Sequence, residues 1–374
     1  MQYTEYELGE LLPFEQPTAY IVKSTDYSDS YATPVLTAGK SFILGKTNET
    51  DGIFDQLPVI IFDDFTTATQ FVNFRFKVKS SAMKILHINT DLVIPKYIFY
   101  RLQIIQFDHS THKRYWIQSY SKIKVLIPPL DEQSRIVTRI DELFSELDKA
   151  VDTLKTTKEQ LEVYRQAVLK DAFSDFEKKD SIRNLTMVVT SGSRGWAKYY
   201  SNSGALFVRI GNLTHSGIDI DFRDIQHITP PDNAEGVRTR LQPNDVLVSI
   251  TADLGSIGFV SEKVEEAYIN QHIALVRFQN PVQGRFMAWY LRSEYGQKDL
   301  LKNKRGGGKL GLGLDDIRDT PVPIVSDLVA QKTVDEIEER LSVCDSIEKT
   351  VDATLAQADA MRQSILKQSF EEKI

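Results

Sequence analysis

Arg165-Gln166-Ala167-Val168-Leu169-Lys170-Asp171-Ala172-Phe173 returns near the end of the chain as Arg362-Gln363-Ser364-Ile365-Leu366-Lys367-Gln368-Ser369-Phe370. The same offset (370 − 173 = 197) carries Leu147-Asp148 onto Cys344-Asp345 and Ile140 onto Ile337. A solenoid repeat would recur every ~20–50 residues. This spacing instead indicates two copies of one large module, each a globular segment followed by a long helix. A duplicated module presents two versions of one surface, which suits a partner with two matching sites.

Working outward, the helix that ends in the first copy has a sustained periodicity. Ile136, Ile140, Leu143, Leu147, Ala150, Leu154, Thr157, Leu161, Tyr164 and Val168 alternate steps of four and three, the heptad seam of a coiled coil. Neither proline nor glycine occurs from Asp131 to Phe173, and some 40 residues at 1.5 Å each make a rod of roughly 60 Å. In the second copy Ile337, Leu341, Cys344, Val351, Leu355, Ala358 and Ile365 keep the same phase, and Glu348 breaks it, with Ile347 as its expected substitute. A seam this narrow needs a partner, and the simplest arrangement makes each helix the other's partner. Cys344, the one cysteine of the chain, sits on the seam as a packed thiol; a single cysteine excludes an internal disulfide and fits a reducing cytosol.

The remaining segments read as short strands and turns. In the first, Ala19–Lys23, Ser41–Leu44, Val59–Phe62 and Phe71–Val78 are expected strands, with a helix over 95–105 led by Pro95. The second offers Leu206–Ile210, Asp245–Ile250, Ile257–Val260 and His272–Phe278, then a helix over Arg285–Leu301. The expected fold class is therefore α+β: two mixed, strand-rich globular domains joined by two long helices in an antiparallel coiled coil, with an internal pseudo-two-fold repeat. The expected boundaries are 1–130, 131–178, 179–325 and 326–374. No stretch approaches the ~18 uninterrupted apolar residues of a membrane helix, and the N-terminus does not read as a signal peptide; a cytoplasmic protein is the expectation.

The chain's net charge of −7 hides an uneven distribution. Residues 131–180 hold 13 acidic against 9 basic side chains, and residues 326–374 hold 11 against 6, so the helical stretches account for −9 and the globular parts keep +2. Acid-free basic tracts stand out: Arg75, Lys77, Lys79 and Lys84 between Phe65 and Thr90, and Lys113, Arg114, Lys122 and Lys124 between His109 and Lys124. Five cations face Asp299 alone between Lys298 and Lys309. Local patches of this kind make the electrostatic footprint on a phosphate backbone.

Catalytic constellations are absent by the same reading. Glu177-Lys178-Lys179 lacks an upstream acid, and Arg305-Gly306-Gly307-Gly308-Lys309 lacks the spacing and hydroxyl residue of a phosphate-binding loop. Asn280-Pro281-Val282 lacks the proline and aromatic of an adenine-methyltransferase motif, and the six histidines pair with no cysteine at ligand spacing. A non-catalytic recognition protein with no bound metal or cofactor fits this silence.

Taken in order over the duplicated frame, Ile127-Pro128-Pro129-Leu130-Asp131-Glu132-Gln133, Ser191-Gly192-Ser193-Arg194-Gly195-Trp196, Phe207-Val208-Arg209-Ile210-Gly211-Asn212-Leu213 and Asn270-Gln271-His272-Ile273-Ala274-Leu275 resemble the specificity subunit of type I restriction–modification systems. Pro321-Val322-Pro323-Ile324-Val325-Ser326-Asp327 is a degraded copy of the first proline-led element. The resemblance implies a DNA-binding chain with two target-recognition domains. The chemistry would lie in partners: two methyltransferase subunits using S-adenosylmethionine, and motor–nuclease subunits using ATP and Mg. The rival readings are a stand-alone DNA-binding or antirestriction protein, an enzyme with an unrecognised site such as a fused nuclease, and a coiled-coil scaffold.

Base readout needs hydrogen-bonding side chains, and positioning needs cations. The candidates in the first domain are Lys40, Lys46, Thr66, Thr67, Thr69, Lys113, Arg114, Tyr115 and Trp116. Those in the second are Ser193, Arg194, Trp196, Lys198, Arg209, Asn212, Thr251, Lys304, Arg305 and Lys309. For Trp116 and Trp196 core packing is the favoured competing reading.

Overall fold

The computed structural model describes residues 3–37, 41–108, 114–231, 234–302, 304–305 and 310–371. Two compact units divide the chain: residues 1–153 with 353–374, and residues 154–352. Each unit therefore combines a globular head with helical pieces from both halves of the sequence.

In the first unit the chain runs β1 (Thr4–Glu7), α1 (Leu8–Leu11), β2 (Phe14–Glu15), β3 (Thr33–Leu36), β4 (Ile43–Thr47), β5 (Val59–Asp63), β6 (Thr69–Val72), β7 (Lys77–Val78), β8 (Met83–His87), α2 (Pro95–Leu102), α3 (Tyr115–Gln118) and β9 (Lys124–Ile127), then enters α4 (Leu130–Phe173). The second unit continues with β10 (Lys178–Ser181), α5 (Ile182–Leu185), β11 (Thr186–Ser191), β12 (Tyr200–Ser201), β13 (Ala205–Val208), β14 (Gln226–Ile228), α6 (Ala234–Thr239), β15 (Val246–Ser249), β16 (Ile257–Phe259), β17 (Ala267–Ile269) and β18 (Ile273–Phe278). It closes with α7 (Gln283–Arg292), α8 (Glu294–Leu300), α9 (Leu314–Arg318) and β19 (Pro321–Pro323) before α10 (Asp327–Glu371).

The duplication extends to strand order. The first head has a sheet β2-β8-β5-β6 and the second a sheet β11-β18-β15-β16. Beside them, β3 pairs antiparallel with β4 and parallel with β7, just as β13 pairs antiparallel with β14 and parallel with β17. A short antiparallel ribbon, β1 on β9 and β10 on β19, ties the two ends of each head together where the long helix departs. Two sheets must pack their apolar faces on something, and α2 and α7 supply it: Ile98 and Tyr97, like Phe286 and Leu291, lie in the cores.

Several local expectations shift. Residues 17–20 form a 3₁₀ turn where a strand was expected, and Phe71–Val78 is two strands, β6 and β7. The helix expected over Arg285–Leu301 breaks at Ser293, whose extended backbone and hydroxyl cap α8 by accepting from Gly296 N at 3.3 Å. Gly296 is required there, since a Cβ would meet the Tyr290 carbonyl oxygen at 2.2 Å.

The long helices pair antiparallel within each unit. In the first, Arg362 binds Asp148 and lies 5.1 Å from the Phe144 ring, while Leu366 joins the core with Ile140 and Val137. In the second, Lys158–Asp352 (2.8 Å), Arg165–Asp345 (2.7 Å) and Arg340–Asp171 (2.9 Å) step in opposite senses along α4 and α10. The seam departs from its sequence reading at Ala150, which is exposed, and around Tyr164. Tyr164 is 44% exposed, and Arg165, 6% exposed, turns inward and binds Glu348 at 3.0 Å. Ile347 does not substitute for Glu348; it faces solvent, because the buried guanidinium requires the carboxylate more than the seam requires another methyl.

The start of each long helix is clamped differently. Gln133, fully buried, accepts from Ile94 N (2.8 Å) and donates to Leu92 O (3.0 Å) and Pro128 O (2.9 Å), which fixes the loop before α2. The second copy has no such glutamine. There the Asp327 carboxylate at the start of α10 accepts from Asn280 (2.7 Å) and Gln283 (2.6 Å) at the start of α7. The degraded proline-led element thus keeps a clamp, with a carboxylate that only accepts in place of an amide that both accepts and donates.

The repeated nine residues at the helix ends also acquire a purpose. Phe173 is buried against Phe176, Phe286 and Tyr290, with ring centroids 5.5–6.1 Å apart, and Phe370 packs on Tyr97 at 5.3 Å. Each closes the helix onto the equivalent helix of a head. Phe173→Ala is expected to cost about 3–5 kcal/mol, and Phe370→Ala, at a half-buried site, distinctly less. Urea unfolding midpoints of the two variants would show the order.

Candidate nucleic-acid interface

In the first head the turn between β5 and β6 is built by two aspartates. Asp63 accepts from Phe65 N (2.8 Å) and Thr66 N (3.1 Å), and Thr67 takes a left-handed conformation with φ of 58°. Asp64 is buried; its carbonyl accepts from Tyr115 N and its carboxylate from Trp116 N, both at 2.9 Å. That tie brings the turn bearing Thr66 and Thr67 next to Arg114, which is exposed and paired with no carboxylate among the described residues. Thr69 accepts from Gln103 on the flank of the same sheet. Lys46 is a half-buried residue of β4, beside Pro34.

Two aromatic candidates are corrected. Trp116 is 1% exposed, wedged against Phe62 (4.9 Å) and Tyr120 (5.9 Å), and Tyr115 is buried against Phe107 at 5.0 Å. Neither leaves a face for a base; they form the floor that holds Arg114 at the surface. The basic tract is corrected as well. Lys84 is buried against Asp64 (3.2 Å), and Lys77 against Glu49 (3.2 Å) and the Asp51 carbonyl (2.5 Å). Those two cations are internal to the fold and unavailable to phosphate. Reading charge along the sequence missed this because the partners lie 20 or more positions away.

In the second head three segments converge. Gly192 lies flat on the Ile269–Asn270 backbone, where a Cβ would meet Asn270 at 2.4 Å. The Glu235 carboxylate accepts from Ser193 N (3.0 Å) and the Trp196 indole (3.3 Å). Burial opposes its ionisation, but those bonds and Arg238 outweigh burial and hold the carboxyl below its ordinary value. This loop leaves Arg194 exposed and without a carboxylate among the described residues. The second segment begins at Thr251, bridged to Gly311 and hydrogen-bonded to His272. The third is Arg305, whose backbone pairs with Gly311 and whose guanidinium binds Asp316 at 2.6 Å while the side chain stays 76% exposed. Arg194, Thr251, His272 and Arg305 line one cleft. Lys304 is exposed beside it.

Other candidates fall elsewhere. Trp196 is buried on Phe207, ring to ring at 5.0 Å, and is withdrawn as a base contact. Asn212 is also withdrawn: 3% exposed, it accepts from Arg209 N (2.8 Å) and donates to the carbonyls of Asp221 and Asp224. Arg209 bonds the Asp224 carbonyl at 3.2 Å, so this pair shapes the 212–224 loop. Lys198 is exposed over the Tyr199 ring at 4.9 Å. Lys40, Lys113 and Lys309 lie outside the described residues. Sequence reasoning missed His272 as a cleft residue; three neighbouring polar side chains, Asn270, Gln271 and His272, just before β18 were the available signal.

His215, Asp253 and Ser256 gather in the second head, yet Asp253 Oδ1 (2.7 Å) and Ser256 Oγ (3.0 Å) reach the same imidazole nitrogen, Nε2. A nucleophilic relay needs the acid and the hydroxyl on opposite nitrogens. Among the described residues no three carboxylate, imidazole or thiol groups stand close enough to hold a metal ion, and no helix is long and apolar enough to cross a membrane.

Comparisons with known proteins agree with this architecture. Residues 2–163 match the family described as Type I restriction modification DNA specificity domain. The chain is 45% identical over 174 residues to the EcoR124I/EcoR124II specificity subunit of Escherichia coli, an alignment covering 43% of each chain. It is 24% identical over 277 residues to the EcoBI specificity subunit of the same organism, covering 65% of this chain and 57% of that one. The chain thus spans about half the length of the curated relatives it matches. Its fold superposes over 100% of its length, with a TM-score of 0.71 and 16% identity, on a chain from a solved structure of type I restriction–modification assembly, covering 98% of that chain. Against the HsdS subunit of Thermoanaerobacter tengcongensis the TM-score is 0.50 at 16% identity, covering 97% of that subunit. The fold is that of a specificity subunit, two sheet-rich domains with long helices. Over its N-terminal part the chain is thus similar to type I restriction–modification specificity subunits.

The assignment of internal against external cations is testable. Lys84→Met leaves Asp64 buried without its counter-charge and should cost about 3–5 kcal/mol, whereas Arg114→Ala should change stability by no more than about 0.5 kcal/mol. Chemical denaturation of both variants distinguishes them.

Proposed function

We propose that each globular domain reads one half of a bipartite double-stranded DNA target, and that the paired long helices set the uncontacted spacer between the halves. The observation that carries this reading is the repeated strand order of the two heads around different rim residues: one framework, two ligands. Arg114 in one head and Arg194, Lys304 and Arg305 in the other supply the phosphate contacts, and Thr66, Thr67 and Thr251 are the candidate base contacts. Lys40, Lys113 and Lys309 remain proposed phosphate contacts on sequence grounds.

In this reading the chain is not itself an enzyme. Methyltransferase subunits, two per chain by the two-fold repeat, use S-adenosylmethionine, and motor–nuclease subunits use ATP and Mg. We place methyltransferase docking on the acidic helix faces, at Glu146, Glu159, Glu162 and Glu339, which are exposed. Glu338 and Glu348 leave that set, because Arg285 and Trp289 engage the first and Arg165 and Lys158 the second. Glu142 is engaged more weakly, by Arg139 at 3.6 Å.

Co-expression with a partner methyltransferase, followed by mapping of methylated bases, tests the whole reading: a two-part motif with a fixed gap is expected, and its absence from a stable complex would refute it. Removing one heptad from each long helix should alter the gap and leave both half-sites unchanged; an unaltered gap defeats the spacer role. Lys304→Ala should weaken all sequences alike and lower the slope of log affinity against log salt by about one, measured by titration at several salt concentrations.

A further inference from the structure

We infer that Thr251, set by His272 and Gln271, is a specificity-determining hydrogen-bond donor of the second head; this rests on the DNA-reading function proposed above. The argument is a proton count. Gln271 turns its amide nitrogen to His272 Nε2 at 2.7 Å. An amide NH₂ only donates, so Nε2 must be the accepting nitrogen of the ring. The ring proton then sits on Nδ1, which faces Thr251 Oγ1. Nδ1–H donates to that oxygen, and the threonine's own O–H is left over.

The leftover proton has a direction and a setting. Thr251 is half-buried at the cleft wall, its backbone fixed by the bridge to Gly311, and Leu312 N donates to Ile250 O at 2.9 Å. Arg194 and Arg305 line the same cleft. The carboxylates that line it are already engaged: Asp316 binds Arg305, and Asp315 binds Arg318 (3.0 Å) and Arg183 (3.4 Å), which hold its carboxyl below the ordinary value. The ligand is therefore an acceptor beside a phosphate. On DNA this means a base-edge acceptor, such as guanine O6 or N7, adenine N7 or thymine O4. The imidazole acts as a positioning residue: its N–H occupies one lone pair of Thr251 Oγ1, which fixes the hydroxyl and leaves its own O–H to donate to the ligand.

The test selects binding sequences from a randomised duplex pool with the full chain and its Thr251→Val, Thr251→Ser and Gln271→Leu variants at one salt concentration. Valine keeps the shape and removes the donor. Discrimination at one base pair of one half-site is expected to fall about tenfold with Thr251→Val, to persist with Thr251→Ser, and to weaken with Gln271→Leu, which frees Nε2. An unchanged motif with Thr251→Val, or an equal loss over all sequences, overturns the inference and leaves the DNA-reading function standing. A wild-type chain that selects no motif overturns both.

Discussion

An apolar seam two residues wide on a long helix cannot be buried by the helix that bears it, and the rest of this structure follows from how the seam is covered. Each unit contains two helical segments running in opposite directions, one from α4 and one from α10. Residues 353–374 complete the unit that begins at the N-terminus, and residues 154–173 belong with the second head. Neither sequence half is therefore a complete folding unit. The duplicated nine residues lie at helix ends because there a helix must meet a head, and the aromatic that closes each copy is what it meets with.

Ionic groups mark the places where the apolar pattern yields. Arg165 inside the helix pair binds Asp345 and Glu348, and Lys158 binds Glu348 and Asp352. A buried guanidinium such as that of Arg165 adds little net stability but penalises wrong pairings strongly, since a slipped register would leave it unpaired. It specifies the register. In the first head, Lys84 on Asp64 and Lys77 on Glu49 do the same for the sheets, anchoring the turn that presents Thr66 and Thr67.

The two heads keep one topology while exchanging chemistry. Gln133 clamps the first long helix with three hydrogen bonds, one accepted and two donated, and Asp327 clamps the second by accepting two. Rim loops vary more: an aspartate-capped turn beside Arg114 in one head, and a cleft of Arg194, Thr251, His272 and Arg305 in the other. A framework that tolerates exchange at its clamps and rims can change ligand without changing fold.

Sequence periodicity by itself determined the duplicated frame, the two long helices and their need for each other, because heptad spacing and a 197-residue repeat are local or self-referential signals. The central strands over 59–62 and 273–278 were legible for the same reason, being short apolar runs between turns. Tertiary structure alone decided which candidate side chains face outward. Trp116, Trp196 and Asn212 turn inward, Lys77 and Lys84 find carboxylates far away in sequence, and Arg165 displaces Tyr164 from the seam. It also decided that Arg194, Thr251 and Arg305, spread over more than 100 positions, share one cleft with His272. A side chain's burial and the partner of its charge depend on long-range packing, and no window along the sequence contains both members of those pairs.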